Sequence, residues 1–459
     1  MKIREIRDPV HGFIHRSSVE EEIIDTPLFQ RLRKIKQLAL ASMVYPGALH
    51  TRFDHSLGVM HLAGRLSGQL LNDNDDMESI RIVRFAALLH DVGHGPFSHV
   101  SESIVDKFYD KEKVTLTTDK EKIHEIITYE LILHDDDLTK LLGERLQEQI
   151  VGVLKGEWGE RILKDIISGP LDADKQDYLL RDSYFCGVKY GIYDIERLID
   201  TMDVKRDMDE RVLAISADGV HTLEQFVLAK YYMTTQVYRH KIRLITDSMI
   251  IRAIELGITK DKIDYLCKLY TYDGSPEFLK EWLKWNDEVL VTTICSDQTP
   301  EGYCKHMFQR LTERKLFKRI FTKRIGDFKN PVIRQRISEE FKKFSKDIES
   351  AIGMHIGIDP FLVIANKFTI QSVREQSRNS EGSILVLQGN TPDIFEEESL
   401  LFRSINEAGK DEFLEVYAPI VFKGDKDKKI RLREYSEQIE VLIENVIKDS
   451  GEEGNNESI

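Results

Sequence analysis

The stretch Ala86-Ala-Leu-Leu-His90-Asp91-Val-Gly-His94-Gly-Pro-Phe-Ser-His99 decides how the rest of the chain is read. An apolar run from Ile80 to Leu89 at helical spacing carries a histidine and an aspartate, side by side, toward a buried position. An ionised carboxylate taken out of water survives only when it is paired or bound to a cation. Imidazole with carboxylate oxygen is also the usual donor mix of a hydrolytic transition-metal site. His94 follows His90 by four residues, so a continuing helix places both rings on one face. Gly93, Gly95 and Pro96 then break the helix, and their small or ringed side chains let a bulky ligand approach the backbone. A lone His-Asp pair reads as a core histidine beside a helix-ending aspartate, but three histidines crowd this aspartate, and that points to a metal site.

Upstream, Pro46-Gly47 makes a turn before His50-Thr-Arg52-Phe-Asp54-His55-Ser56. Ser56 or Asp54 is expected to cap a helix from Leu57 to Leu71, whose Leu57, Met60, Ala63, Leu66 and Leu70 form one stripe. His55 therefore sits near the start of a packed helix. Thr26-Pro27 opens an earlier helix as N-cap and first position, with Leu28, Leu32, Ile35 and Leu38 facing inward. Gln30, Arg31, Arg33, Lys34 and Lys36 form its basic face, either solvated or in contact with phosphate. Residues 1–25 read as short β pieces with turns at Asp8-Pro9 and His11-Gly12, and Asn72 to Met77 as a polar loop.

Downstream, Asp119 to Leu142 is helical and charged, with His124-Glu125 its one chemically suggestive pair. His134 and Asp135 to Asp137 read as a solvated loop, because no apolar frame buries them. In Gly169 to Asp182 the spacing of four puts Asp174, Tyr178 and Asp182 on one helix face, with Lys175 adjacent. Leu179 and Leu180 show that this segment packs, so its charges need partners. Residues 224–256 read as one long helix carrying Tyr231, Tyr232, Tyr238, Arg239, His240, Lys241 and Arg243, which suits phosphate and base or sugar contact, or a subunit interface. Residues 259–285 are expected to be helical and Asn286 to Pro300 a connection.

The 459 residues exceed the ~250 to 300 at which one core stops growing, so a large domain with appendages is expected. A formal net charge of -14 disfavours a generic nucleic-acid surface, which rests on Lys and Arg neutralising phosphates. The cysteines, Cys186, Cys267, Cys295 and Cys304, form neither a zinc ribbon nor a disulfide framework and suit a reducing cytosol. The N-terminus lacks a signal-peptide apolar region and no run approaches the ~18 apolar residues of a membrane span, so a cytoplasmic protein with no membrane partner is expected. The absence of a GK[ST] motif excludes P-loop chemistry. Beyond Lys305, Lys and Arg are dense from Arg310 to Lys346, and β-like runs occur at Phe361 to Asn366, Ser383 to Gln388 and Phe413 to Phe422. A helix from about Leu432 to Lys448 and a disordered polar tail, Asp449 to Ile459, are expected to follow.

His55, then His90-Asp91, then a distant Asp174 resembles the H...HD...D pattern of the HD-domain metal phosphohydrolases. Arg4 to Pro9, Ile24 to Arg33, Ile35 to Leu38, Arg52 to Gly58, His90 to His99 and Asp174 to Asp182 extend the similarity, over roughly residues 1–250, to the deoxynucleoside triphosphate triphosphohydrolase branch. No sterile-alpha-motif domain, which the vertebrate member carries, is expected ahead of it. The resemblance implies a mostly α fold: an HD-domain helical core with an N-terminal regulatory segment (1–250), a helical extension (251–304), a smaller α+β C-terminal region (305–448) and the tail (449–459).

It also implies roles residue by residue. His55, His90, Asp91 and Asp174 are the metal ligands for a divalent ion, whether Mg, Mn, Fe, Ni or Zn. Arg52, Lys175 and Tyr178 hold the triphosphate, while Gln37, Leu38, Asp182 and Tyr238 meet the sugar and exclude a 2'-hydroxyl. His94, His99 and His124 line the α-phosphate. Glu102 stands where the family has an aspartate supporting the histidines. Arg4, Asp25, Gln30 and Arg33 match the grip on a dGTP or GTP activator, and Val44, Tyr45, His240 and Lys241 the neighbouring effector contacts. Lys230 and Thr234 depart from an arginine and a histidine of the vertebrate enzyme. The expected reaction is dNTP hydrolysis to deoxynucleoside and inorganic triphosphate by a homo-oligomer, a dimer or tetramer. Independently of the family, a divalent ion activates water and polarises a phosphoryl oxygen, arginine forks onto phosphate, and a histidine, His99 first, protonates the departing 5'-oxygen. The rival readings are an HD phosphohydrolase for a monophosphate, alarmone or cyclic dinucleotide, and a nucleotide-sensing or nucleic-acid-binding scaffold resting on the basic segment Arg310 to Lys346.

Overall fold

The computed structural model describes residues 4–71, 76–116, 122–207, 210–371, 378–379, 382–388, 391–404 and 411–456. The fold is mostly α. Its larger apolar core is built around the helix Arg52–Leu70, which packs against the helices Met77–Leu89 and Ala173–Cys186. Small sheets sit at the margins. Arg4–Asp8 and Gly12–Arg16 pair as an antiparallel hairpin. Met202–Asp207, Glu210–Ser216, Leu385–Gln388 and Thr391–Ile394 form a four-stranded sheet in that order, with one parallel pairing between the second and third.

A second apolar core lies in the C-terminal region. The antiparallel strands Lys318–Arg324, Asp411–Ala418 and Ile364–Ile370 form a sheet with the second in the middle. The helices Pro331–Ile356 and Asp425–Asn456 supply Ile333, Ile337, Ile352, Ile439, Ile443 and Ile447 to this core. The spacing of four from Ile439 to Ile447 holds the last helix down. That helix continues through most of the stretch expected as a disordered tail, to Asn456, and residues 457–459 lie outside the described residues.

Several local expectations are corrected. The His55 helix begins at Arg52, not Leu57, because Asp54 accepts hydrogen bonds from the Thr51 amide and hydroxyl at 2.8 Å each and so caps the earlier turn. Residues 18–24 of the β-like N-terminal segment form a helix with a Ser17/Glu20 capping box. Thr26 does cap a helix, but it is one turn long, and a 3-10 turn, Arg31–Lys34, follows. The expected long helix of 224–256 is two helices, Val220–Met233 and Lys241–Thr259, separated by a π-helical turn, Thr234–Tyr238. Asp135 caps the helix Asp136–Leu142 instead of lying in a loop. Asn286 caps a helix, Asp287–Cys295, inside the expected connection. The expected loop from Asn72 and the expected helix from Asp119 begin on residues outside those described.

The turn after Leu89 is where the fold meets the chemistry. The helix ends at Leu89 and does not carry His94 on the face of His90; the His94 amide instead closes a turn onto the Asp91 carbonyl at 3.2 Å. Neighbouring elements clamp the loop that follows. Arg31, buried and not on a solvated face, donates to the His94 carbonyl at 2.9 Å; Trp282 Nε1 donates to the Gly93 carbonyl at 3.0 Å; Asp287 Oδ1 accepts from the Phe97 amide at 2.7 Å. Phe97 and Ser98 are held at φ 62° and 52°, a conformation that persists only where surroundings over-determine it. A Cβ at Gly93 would lie 2.5 Å from the Thr128 amide nitrogen and 2.7 Å from the His124 carbonyl oxygen. Gly93→Ala should therefore destabilise the protein by roughly 1–3 kcal/mol, read as a fall in the thermal midpoint by calorimetry; an unchanged midpoint would mean that this approach is not tight.

Candidate active site

Three segments far apart in sequence bring four polar side chains together. His55 comes from the first turn of its helix, His90 and Asp91 from the turn after Leu89, and Asp174 from the first turn of the helix Ala173–Cys186. His55 Nε2 stands 3.0 Å from Asp174 Oδ1 and 3.8 Å from Asp91 Oδ2, and His90 Nε2 stands 3.3 Å from Asp91 Oδ1. Donor atoms of His55, His90 and Asp91 all lie within 4.8 Å of one another. His90 Nδ1 donates to the Ala87 carbonyl at 2.7 Å, which leaves the Nε2 lone pair facing the cluster. That nitrogen is buried with no hydrogen-bond partner among the described residues. Two imidazoles, one of them with its buried Nε2 orphaned, and two carboxylates fit a divalent cation.

Electrostatics argue the same way. Burial opposes charge on both carboxylates. The Arg52 guanidinium and the neighbouring His90 and His94 nonetheless hold Asp91 well below the usual carboxylate range. Hydrogen bonding to His55 and its charge bring Asp174 down to about 2. Burial works against a charged ring at His55, but hydrogen bonds to Asp174 and Asp177 and their charges raise it to about 10. Without a metal, the cluster is neutralised by a proton on His55 and by Arg52.

Behind it lies a support that sequence reasoning missed. Asp177 accepts from His55 Nδ1 at 2.8 Å, His11 Nε2 at 2.7 Å, and Arg181 Nε and Nη2 at 2.8 and 2.9 Å. Arg181 Nη1 donates on to Asp8 Oδ2 at 2.8 Å. A carboxylate on the far nitrogen of a ligating imidazole fixes its tautomer and raises its basicity. Gly58 sits against Asp177, where a Cβ would strike Oδ1. The available signal was the spacing of four between Asp177 and Arg181 on a helix whose apolar neighbours bury it.

A cavity of about 1200 Å³ opens from this cluster, lined by His90, Asp91 and Asp174 and by the residues expected to meet phosphate and sugar: Gln37, Leu38, Arg52, Lys175, Tyr178, Asp182 and Tyr238. Arg52 is buried and donates from Nη1 to Asp91 Oδ2 at 2.7 Å and from Nε to Ser98 Oγ at 3.0 Å. Lys175 Nζ donates to the Gly169 carbonyl at 3.0 Å and pairs with Asp172. Tyr238, delivered by the π turn, donates its hydroxyl to Asp182 Oδ2 at 2.7 Å, and His50 Nε2 bonds Asp182 Oδ1 at 2.7 Å. The rings of Tyr178 and Tyr238 stand 6.1 Å apart, and Gln37 Oε1 is buried with no hydrogen-bond partner among the described residues.

The remaining three histidines share one carboxylate. Glu102 Oε1 lies 2.9 Å from His94 Nδ1 and 2.8 Å from His99 Nδ1, and Oε2 lies 3.5 Å from His124 Nδ1. His94 Nε2 reaches Asp91 Oδ1 at 3.0 Å, so one ring joins the two clusters. Burial and Arg52 oppose charge on His94, but Asp91 and Glu102 raise its pKa; burial pushes His124 down to about 3. His99, 61% exposed, opens into the cavity.

None of the eight residues expected to grip an activator lines this cavity. Arg4 pairs with Glu21. Gln30 Oε1 accepts from Arg33 Nε at 2.8 Å, Arg33 lies over the Phe53 ring, and Asp25 is exposed nearby in the chain. Tyr45 follows Val44 and donates to the Gln236 carbonyl at 2.9 Å, with its ring 5.9 Å from that of His240; Lys241 is exposed at the start of its helix. Of the two departures, Thr234 lines the cavity and Lys230 is brought down to about 8 by burial and the neighbouring Lys175.

Residues 52–182 match the family model described as HD domain, and residues 193–431 the model described as HD associated region. An uncharacterized protein of Methanocaldococcus jannaschii is 32% identical over 359 residues, covering 78% of this chain and 68% of that protein. Deoxynucleoside triphosphate triphosphohydrolase SAMHD1 of Homo sapiens is 28% identical over 386 residues, covering 75% of this chain and 58% of its own length. The crystal structure of a phosphohydrolase from Bacteroides thetaiotaomicron superposes with a TM-score of 0.69 at 26% identity, covering 91% of this chain and all of that one.

The charged His55 ties stability to pH. Its folded pKa, about 10, lies above the unfolded value of ~6.5, so its contribution is full below the latter and lost as pH rises through the former. In EDTA the thermal midpoint should fall between pH 7 and pH 10, and His55→Gln should flatten that fall; an equal slope in the variant would remove His55 as the cause.

Proposed function

The chain belongs to the HD-domain phosphohydrolase family, and on that premise we propose that it hydrolyses dNTPs to a deoxynucleoside and inorganic triphosphate. One observation carries the reading. A single cavity is lined by His90, Asp91 and Asp174 of the His/Asp cluster, by Arg52 and Lys175, and by the hydrogen-bonded Tyr238–Asp182 pair, the side chains expected to meet the metal, phosphate and sugar of such a substrate.

In this reading His55, His90, Asp91 and Asp174 hold a divalent ion, which when bound supplies an activated water and polarises the α-phosphoryl oxygen. Arg52 and Lys175 offset triphosphate charge, Arg52 through its planar fork. Tyr238, fixed by Asp182, makes a rigid wall that rejects a 2'-hydroxyl, with Gln37 and Leu38 opposite and Tyr178 beside the phosphates. His99 protonates the departing 5'-oxygen from Nε2, the nitrogen that stands 3.3 Å from Arg52 Nη2, once Arg52 has turned to the triphosphate. Glu102 Oε1 lies 2.8 Å from His99 Nδ1 and 2.9 Å from His94 Nδ1, so one carboxylate orients the exposed ring and stabilises positive charge on it. His124 stacks on His94 with ring centroids 5.0 Å apart and fixes its plane.

Activation by dGTP or GTP through Arg4, Asp25, Gln30 and Arg33, with Val44, Tyr45, His240 and Lys241 as the adjoining contacts, and assembly into a dimer or tetramer, belong to the same proposal. So does a cytoplasmic setting; no helix among the described residues is long and apolar enough to cross a membrane. Against the scaffold reading, part of the basic segment is answered by acids: Arg319 meets Glu415 and Lys323 meets Glu440 at 2.5 Å each, and Arg324 pairs with Asp411.

Incubation with each dNTP and Mg²⁺ or Mn²⁺ should release triphosphate, and release of pyrophosphate or monophosphate would point to another HD phosphohydrolase reaction. Asp91→Ala should lose both bound metal, by elemental analysis, and triphosphate release; a variant retaining full metal would undo the ligand assignment. His99→Ala should lower kcat by roughly 10²–10⁴ with KM little changed, and an unaltered kcat would move the acid elsewhere. Adding dGTP or GTP should accelerate dATP hydrolysis in the parent and not in Asp25→Ala; rates indifferent to added nucleotide would discard the regulatory site.

A further inference from the structure

One wall of the cavity carries a charged pair that the hydrolytic steps do not use. Arg243 and Asp247 are four residues apart on the helix Lys241–Thr259, share one face of it, and line the cavity. Their side chains are 11% and 23% exposed. Arg243 Nε stands 3.6 Å from Asp247 Oδ2, a charge contact longer than a hydrogen bond. Arg243 Nε and Nη1 and Asp247 Oδ1 have no hydrogen-bond partner among the described residues. Buried polar groups left unmade in a native structure call for an explanation, and here they border a ligand cavity.

Their place in that cavity says what meets them. Asp174 and Tyr178 are one helical turn apart, the Tyr178 ring is 6.1 Å from that of Tyr238, and the Arg243 guanidinium carbon is 5.4 Å from the Tyr238 ring. The pair thus adjoins Tyr238 on the side away from Asp174 in this run of contacts, and if Tyr238 meets the sugar, the base is the part of the nucleotide left to meet the pair. We propose that Arg243 and Asp247 read that base and select guanine, an inference that rests on the dNTP reading of the same cavity. Guanine presents two adjacent donors, N2–H and N1–H, followed by two adjacent acceptors, O6 and N7. A carboxylate accepts the first two, and a guanidinium fork donates to the others. The other three bases offer no such run and leave part of the pair unmade, and unmet buried groups are what make a polar site selective. Burial pushes Asp247 up to about 6, with Arg243 and Arg239 opposing, so the carboxylate is mainly ionised at neutral pH.

The test is internal competition. An equimolar mixture of the four dNTPs is supplied and each deoxynucleoside is followed by chromatography, so that any activator acts equally on all. The parent should release deoxyguanosine about tenfold or more faster than deoxyadenosine, and Asp247→Asn and Arg243→Ala should bring the ratio toward one while deoxyadenosine release persists. A parent ratio near one, or a ratio unchanged in both variants, overturns the proposal. If no deoxynucleoside appears at all, the dNTPase reading fails, and equilibrium dialysis in EDTA against dGTP or dATP still judges the pair. Retention of dGTP over dATP by the parent, lost in Asp247→Asn, supports it; no difference between the two proteins overturns it.

Discussion

Two carboxylates cannot remain ionised side by side in a buried pocket unless positive charge is brought to them, and the structure is arranged around that requirement at Asp91 and Asp174. Coulomb attraction in such a setting is strong and poorly screened. The chain meets it with His55 and Arg52, and the lone pair of His90 Nε2 faces the same cluster as a ligand for a cation. Both histidines are held from behind. Asp177 fixes His55 from the helix that presents Asp174, and Ala87 fixes His90 from its own helix end.

That second layer explains features of the fold that have no role of their own in chemistry. The N-terminal hairpin reaches the site because Asp8 and His11 complete the Arg181–Asp177 network. The segments around Arg31, Trp282 and Asp287 clamp the loop from Gly93 to Phe97, which keeps His94 between Asp91 and Glu102. The π turn at Thr234–Tyr238 sets Tyr238 against Asp182, and the helix it introduces turns Arg243 and Asp247 toward the same cavity. One-turn irregularities of this kind cluster at functional sites because they re-aim a side chain without ending the helix pair.

The residues at the centre were legible from sequence because their types are expensive to bury and their spacing is uncommon. Asp174, Tyr178 and Asp182 announce a shared face, and the His90-Asp91 pair follows an unbroken apolar run. Their supports were not legible. Asp177 and Arg181 look like an ordinary helical ion pair, and their partners Asp8 and His11 lie more than 160 residues away in the chain. The break at Thr234 was hidden because Met233 and Val237 keep the apolar spacing going through it. The early start of the His55 helix turned on one cap, where Thr51 competes with Ser56, and only packing decides between two plausible caps.

The most direct measurement is X-ray absorption at the edge of the metal that copurifies with the protein, together with its stoichiometry. The account predicts one tightly held ion per chain at this cluster, with two imidazole nitrogens and carboxylate oxygens in its coordination shell. A protein that binds no divalent ion, or an ion whose shell contains no imidazole, would contradict it.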